Sequence, residues 1–271
     1  MPFLPALLRV GRNGTVSVKI KLVILLLLIM LLASIVFFFV RQNTRTIGNP
    51  SASPIGRHVT LTPTVIPTPT PSSTPQPLFS DDFTKANKGW YLGNSEGYTR
   101  TLSNNTLTLA ATNHQLLTES LPTGAAFSDF MITITFTLMQ ASQSDSMGLY
   151  LRGDIYLDHD YRIDIYGNNT YAISKEYLDL DKYPQTQFLI NPTKTSVLKP
   201  IGQQNTLTVI MKGPMLVLLL NGTVINTVTD QDYSSGQIAL FVRNSDTSEG
   251  VEVSFSSVIV YPAPEQLPSG R

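Results

Sequence analysis

From Leu22 to Val40 the chain is apolar without interruption, carries no charge, and holds one hydroxyl, Ser34. Its 19 residues make roughly 28 Å of helix, close to the hydrocarbon thickness of a bilayer. A stretch of this kind fits no soluble core and predicts a single transmembrane helix. Arg9, Arg12, Lys19 and Lys21 precede it with no acidic residue among them, whereas Arg41, Arg45 and Arg57 follow at wider intervals. That bias predicts a short cytoplasmic segment over 1–21 and export of everything after the span. A cleaved signal peptide is the alternative. Its apolar core is shorter and ends at small residues, whereas this run ends in Phe37, Phe38, Phe39 and Val40.

All 19 acidic residues lie beyond position 80, where they face 12 basic ones, so this part carries a net charge of −7 although the whole chain is neutral. An acidic domain without a basic cluster argues against nucleic acid as a partner and against tight docking on anionic headgroups. There is no cysteine. An exported domain built this way is held by its core alone, without disulfides.

Residues 41–77 read as an extracytoplasmic linker, with Pro50, Pro54, Pro63, Pro67, Pro69, Pro71, Pro75 and Pro77 interleaved with Thr and Ser. Proline fixes φ and removes backbone donors, so an extended, semi-rigid spacer is expected. Residues 78–262 form the expected domain, and 263–271 a disordered tail. Within the domain, Phe130, Ile132, Ile134, Phe136 and Leu138 alternate with Thr133, Thr135 and Thr137, which is a half-buried strand. Thr106–Leu109 and Asn205–Met211 repeat the pattern, and Met215–Leu220 is apolar on both faces. Asn221-Gly222 is the strongest hairpin signal. Roughly a dozen short strands and no amphipathic helix predict an all-β, antiparallel two-sheet sandwich.

Three stretches carry a resemblance. The first is Leu78-Phe-Ser-Asp-Asp-Phe83 followed by Gly89-Trp90. The second is Gly148-Leu-Tyr-Leu-Arg152 with Asp158-His-Asp-Tyr-Arg-Ile-Asp-Ile-Tyr166. The third runs from Asn205 to Val209 through Leu218–Gly222 and Gly236–Phe241 to Val253–Phe255 and Val258. In that order they resemble the concanavalin A-like jelly-roll superfamily, nearest its laminin-G-like and 3-keto-disaccharide-hydrolase-like branches of bacterial surface proteins. The resemblance implies two curved antiparallel sheets, in a superfamily where many members bind carbohydrate and some hydrolyse it. It also treats Trp90 as structural. Such domains often carry Asp-Asn after the aromatic residue of the last strand. This chain has Ser256 and Ser257 there, which removes those oxygens from any calcium site.

Glycoside hydrolysis needs two carboxyl groups facing one site. The Glu-x-Asp-x-x-Glu arrangement of jelly-roll glucanases is absent, and Glu249 and Glu252, three apart, point to opposite faces of a regular strand. Asp158 and Asp160 flank His159 between two strands, where Asp is the expected turn residue. A calcium ion held by Asp158, Asp160 and backbone carbonyls is the one cofactor the sequence allows. His58, His114 and His159 are too scattered for zinc. Tyrosine is more telling, since seven of the 11 fall between Tyr150 and Tyr183. With Leu149, Leu151, Ile163 and Ile165 turned to the core, one outer face should collect Tyr150, Arg152, Arg162, Asp164 and Tyr166. Aromatic rings beside charged hydrogen-bonding groups suit a sugar. A plain solvated sheet face is the other reading. The expected function is a membrane-tethered extracytoplasmic module that binds carbohydrate without catalysis. A sugar-active hydrolase and an adhesion domain contacting protein are the rivals.

Overall fold

The alternation read over Phe130–Leu138 becomes the central strand of the larger of two sheets. The computed structural model describes residues 75–268. The expected membrane span, Leu22–Val40, and the linker up to residue 74 lie outside the described residues. The described chain folds into 14 strands: β1 (Phe79–Asp81), β2 (Tyr98–Ser103), β3 (Thr106–Ala111), β4 (Leu116–Ser120), β5 (Phe130–Gln140), β6 (Ser146–Gly153), β7 (Asp160–Tyr166), β8 (Thr170–Leu178), β9 (Pro184–Lys194), β10 (Gln204–Lys212), β11 (Met215–Leu220), β12 (Thr223–Thr229), β13 (Gln237–Arg243) and β14 (Val251–Pro262). No helix occurs among the described residues, so none there is long and apolar enough to cross a membrane.

One sheet runs β12-β11-β10-β5-β14-β3-β2, with β1 pairing the distal half of β14; the other runs β4-β13-β6-β7-β8-β9. All pairings are antiparallel. The β11–β12 hairpin turns on Asn221 and Gly222, at φ 50° and 80°, the positive values that a type I′ turn requires. The inner faces pack Ile134, Phe136, Leu207, Leu218 and Phe255 of the larger sheet with Leu149, Ile163, Ile173 and Leu240 of the smaller. Trp90 is buried between Phe79 and Phe83, and its Nε1 donates to Asp81 Oδ2 at 2.8 Å. The indole therefore closes the sandwich end with its polar atom satisfied.

The stretch after β14, where a disordered tail is expected, carries hydrogen bonds at Ala263, Pro264 and Glu265. Ala263 N donates to Asp129 O, and Lys212 Nζ donates to Pro264 O at 2.9 Å and Glu265 O at 2.5 Å.

Candidate functional site

Strand parity carries the aliphatic side chains of β6 and β7 inward and leaves a row of polar and aromatic ones outside. Cross-strand register sets Ala239, Tyr150, Arg162 and Ser174 in one line across the smaller sheet, and Phe241, Gly148, Asp164 and Ala172 in the next. Gly148 makes this packing work. A Cβ there would stand 1.7 Å from Ile163 O and 3.0 Å from the Phe241 ring. The ring occupies that space, and the Arg162 guanidinium stacks 4.5 Å from its centroid and 5.5 Å from that of Tyr150.

Arg162 is the hub. Its Nη1 donates to Glu176 Oε1 at 2.9 Å and to Tyr150 Oη at 3.2 Å; its Nη2 donates to Asp164 Oδ1 at 2.8 Å. Burial alone would lower the guanidinium pKa, but Asp164, Tyr150 and Glu176 hold it above its ordinary value. Burial likewise pushes the Tyr150 phenol up. The same face holds polar atoms with no hydrogen-bond partner among the described residues: both carboxyl oxygens of Asp160, Ser174 Oγ and Arg162 Nε. Asp160 has no exposed surface and lies directly across the strand pair from Glu176. Burial, with Glu176 adding to it, pushes its carboxyl up to about 8.

The connection from β6 to β7 folds back over this face. Asp154 Oδ1 accepts from the backbone N–H groups of Tyr156 and Asp158, and Leu157 packs against the cluster of Tyr150, Ala239 and Phe241. Leu157 sits at φ 57°, a left-handed conformation that costs a leucine about 1–2 kcal/mol. Beside it opens a cleft of about 280 Å³ lined by Thr118, Tyr150, Tyr156, Asp158, Glu176 and Tyr177. A second cleft of about 300 Å³ shares Leu116 and Thr118 with the first and continues past the edge strand β4 to Tyr91, Tyr98 and Arg100. Tyr91 is two-thirds exposed over Arg100, whose guanidinium carbon lies 5.1 Å from the ring centroid and whose Nε is fixed on Glu119 at 2.9 Å. From β4 to β8 the paired clefts cross four strand spacings, about 19 Å.

Of the residues singled out from sequence, Tyr150, Arg162 and Asp164 meet in this hub. Tyr150 is only 2% exposed, so its ring packs on Phe241 and does not form an open platform. Tyr166 is four residues further along β7 than Arg162, about 13 Å away, with its phenol pushed up to about 12 by burial and then by Asp164. The two tyrosines therefore do not make one stacking surface. Arg152 corrects the parity reading. Arg152 is the extra residue of a bulge in β6, left unpaired between the partners of Gln237 and Ile238, and with its φ of 53° the bulge turns its side chain away from the face. It instead donates to Ser128 O, Gly213 O and Tyr233 O and pairs with Asp129, joining the two sheets at one end. Its side chain is buried in this way.

Asp158 lies in the turn between β6 and β7, as read, whereas Asp160 does not. Asp154 makes the turn, and Asp160 begins β7. Among the described residues no group of three or more acidic or histidine side chains is arranged to hold a metal ion. Sequence reasoning missed Glu176, Tyr91 and Tyr156. The crowding of tyrosines after Tyr150 was a signal for Tyr156, while nothing local marked Glu176, whose role comes from lying across from Asp160.

Over residues 74–259 the chain matches the family model of the 3-keto-alpha-glucoside-1,2-lyase-like domain. Among solved structures it is similar to a Bacteroides ovatus mixed-linkage-glucan glycoside hydrolase in complex with a product, at 11% identity and a TM-score of 0.51, covering 68% of this chain and 99% of that one. It is also similar to a structure described for endo-acting O-glycanases of the human gut microbiota that initiate mucin breakdown, at 10% identity and a TM-score of 0.51, covering 70% and 100%. A carbohydrate-binding module from Bacillus subtilis matches at 15% identity and a TM-score of 0.49, covering 64% and 95%. No curated protein matches the sequence.

Proposed function

Because this chain belongs to the family of 3-keto-alpha-glucoside-1,2-lyase-like domains, whose jelly-roll fold is one of carbohydrate binders and glycoside hydrolases alike, we propose that it binds a linear carbohydrate chain across the outer face of its smaller sheet. The observation that carries this reading is the pair of adjoining clefts with exposed Tyr91 and Tyr156 at either part and Glu176 held by Arg162 between strands. Aromatic rings offer apolar surface to the C–H face of a sugar ring, while fixed carboxylates take its hydroxyls. The proposal includes tethering to a membrane through Leu22–Val40, with the N-terminus cytoplasmic and the domain outside.

The test uses the full chain in detergent micelles on an array of neutral and charged oligosaccharides. Retention of at least one class is expected, weakened about fivefold by Tyr91→Ala or Tyr156→Ala, since loss of one stacking contact is worth roughly 1 kcal/mol. Failure to retain any glycan overturns the reading. The absence of cysteine makes topology easy to probe, because a single Ser103→Cys should react with a membrane-impermeant maleimide on intact cells. Labelling only after lysis would remove the tethering claim.

A second reading, catalysis, is favoured by one observation. Asp160, pushed up to about 8 by burial and then by Glu176, lies directly across the strand pair from that second carboxyl, and an acid raised in this way beside another carboxyl is a pairing that acid–base chemistry on sugars uses. Turnover of glucosides or 3-keto-glucosides by the full chain, lost in Asp160→Asn, would establish it.

A further inference from the structure

Among the described residues, the side chains gathered around the cleft are mostly of one sign. Asp158 and Glu176 line it, Asp154 shapes its loop, and Asp160 and Asp164 lie beneath. The groups that face Asp160 are Glu176 from β8, Arg162 from its own strand, Tyr150 from β6, Tyr233 from the segment before β13, and Asp154 and Asp158 from the folded-back loop. Arg162 is the one cation in that set and is already committed to Asp164 and Glu176. Lys175, the nearest in sequence, points the other way, to Asp230 and Asp232. His159 is drawn to Asp154.

Such a site repels uronate or sulfate and draws positive charge. Asp160 adds a specific demand, because both of its oxygens are buried and unpartnered. An unmet buried carboxyl costs stability unless a donor reaches it. Resting on the reading above, we propose that the carbohydrate taken by this cleft carries a free amino group, and that Asp160 and Glu176 receive its ammonium. A hydroxyl would satisfy one oxygen and leave the acid in its neutral form. An ammonium brings three donors and the missing positive charge. Glu176 already opens on the cleft, which Leu157 also lines, whereas Asp160 is buried beneath. Both Leu157 and the Asp160 Cβ close around Gly153, within 2.7 and 3.4 Å of where a Cβ would stand there. Engagement therefore moves Leu157 aside. Asp160 then loses its proton to solvent, while the amine keeps its own.

The experiment is titration calorimetry of the full chain in micelles at pH 6.5, in two buffers of different ionisation heat. The ligands are oligomers of β-1,4-linked glucosamine, the same oligomers fully N-acetylated, and spermidine. A preference of about tenfold or more for the free amine over its acetylated counterpart is expected, as for a charge-assisted pair. It should be accompanied by proton release and should weaken in salt. Asp160→Asn should abolish the proton release and most of the preference while neutral oligomers still bind. Equal affinity for both oligomers, or a preference without proton release, overturns the proposal. Spermidine binding as tightly as the amino sugar overturns the claim that the amine is sugar-borne. Neutral glycans bound with no amine preference sink this inference and leave the carbohydrate reading standing, whereas no glycan bound at all sinks both.

Discussion

The outer faces of the two sheets obey the same alternation and end in opposite states. On the larger sheet, register sets hydroxyl against hydroxyl: Thr133 with Thr208 at 3.0 Å, Thr108 with Ser254 at 2.9 Å, and Ser257 with Thr135 at 2.9 Å. Each partner satisfies the other, and water can take the rest. On the smaller sheet, register sets Asp160 against Glu176, two carboxyls directly opposed, which is destabilising when both are charged. Satisfied pairs make a wall; opposed and unmet ones are kept at a cost to folding, and that difference locates the candidate site more sharply than shape does.

The comparison breaks most visibly with pH. The Asp160 carboxyl titrates at about 8 in the folded chain, against about 3.9 when unfolded. Between those values the folded state binds the extra proton. Its stability contribution is therefore fully present below about pH 4 and is lost as pH rises through 8. Asp160→Asn should flatten this slope and stabilise the protein at pH 9 by an amount of order 5 kcal/mol at most. Urea denaturation of both proteins at pH 5 and pH 9 measures it; equal slopes would mean that Asp160 is not a buried acid.

Next in size is Arg162→Met, which leaves Glu176 and Asp164 without their shared cation. A loss of about 3–5 kcal/mol is expected, seen as an early urea midpoint at neutral pH, and a loss under 1 kcal/mol would show that the hub is dispensable. The smallest effect belongs to the opposite wall. Thr133→Val keeps the β-branch and deletes one solvated hydroxyl pair, so a change within about 1 kcal/mol is expected. A larger loss, read from the same urea curves, would erase the contrast between the faces.

Much of this architecture was legible before any coordinates. Period-2 alternation over Phe130–Leu138 marks β5, and Asn221-Gly222 marks the hairpin beside it, because both signals are local. Parity also carries Tyr150, Arg162 and Asp164 to one face. It misplaces Arg152 because Arg152 is itself the extra residue of a bulge in β6, and a slip of one exchanges the faces. Asp160 was read as a turn residue because Asp is common in turns, but Asp154 supplies that turn and frees Asp160 to start a strand. The cleft itself joins Tyr91, Tyr156 and Glu176 from separate elements, and no local pattern encodes that meeting.

The pairing of β1 with β14 has a practical consequence. Leu78 N donates to Val260 O at 2.7 Å, so the polypeptide comes in next to the strand by which it goes out. Both gateways belong to the larger sheet, whereas the cleft beside Tyr150 and Glu176 opens on the smaller. Immobilising the protein on a sensor chip, or fusing a reporter after residue 268, would leave the grooved side facing the bulk solution, and many copies fixed in this way would offer their clefts in the same direction.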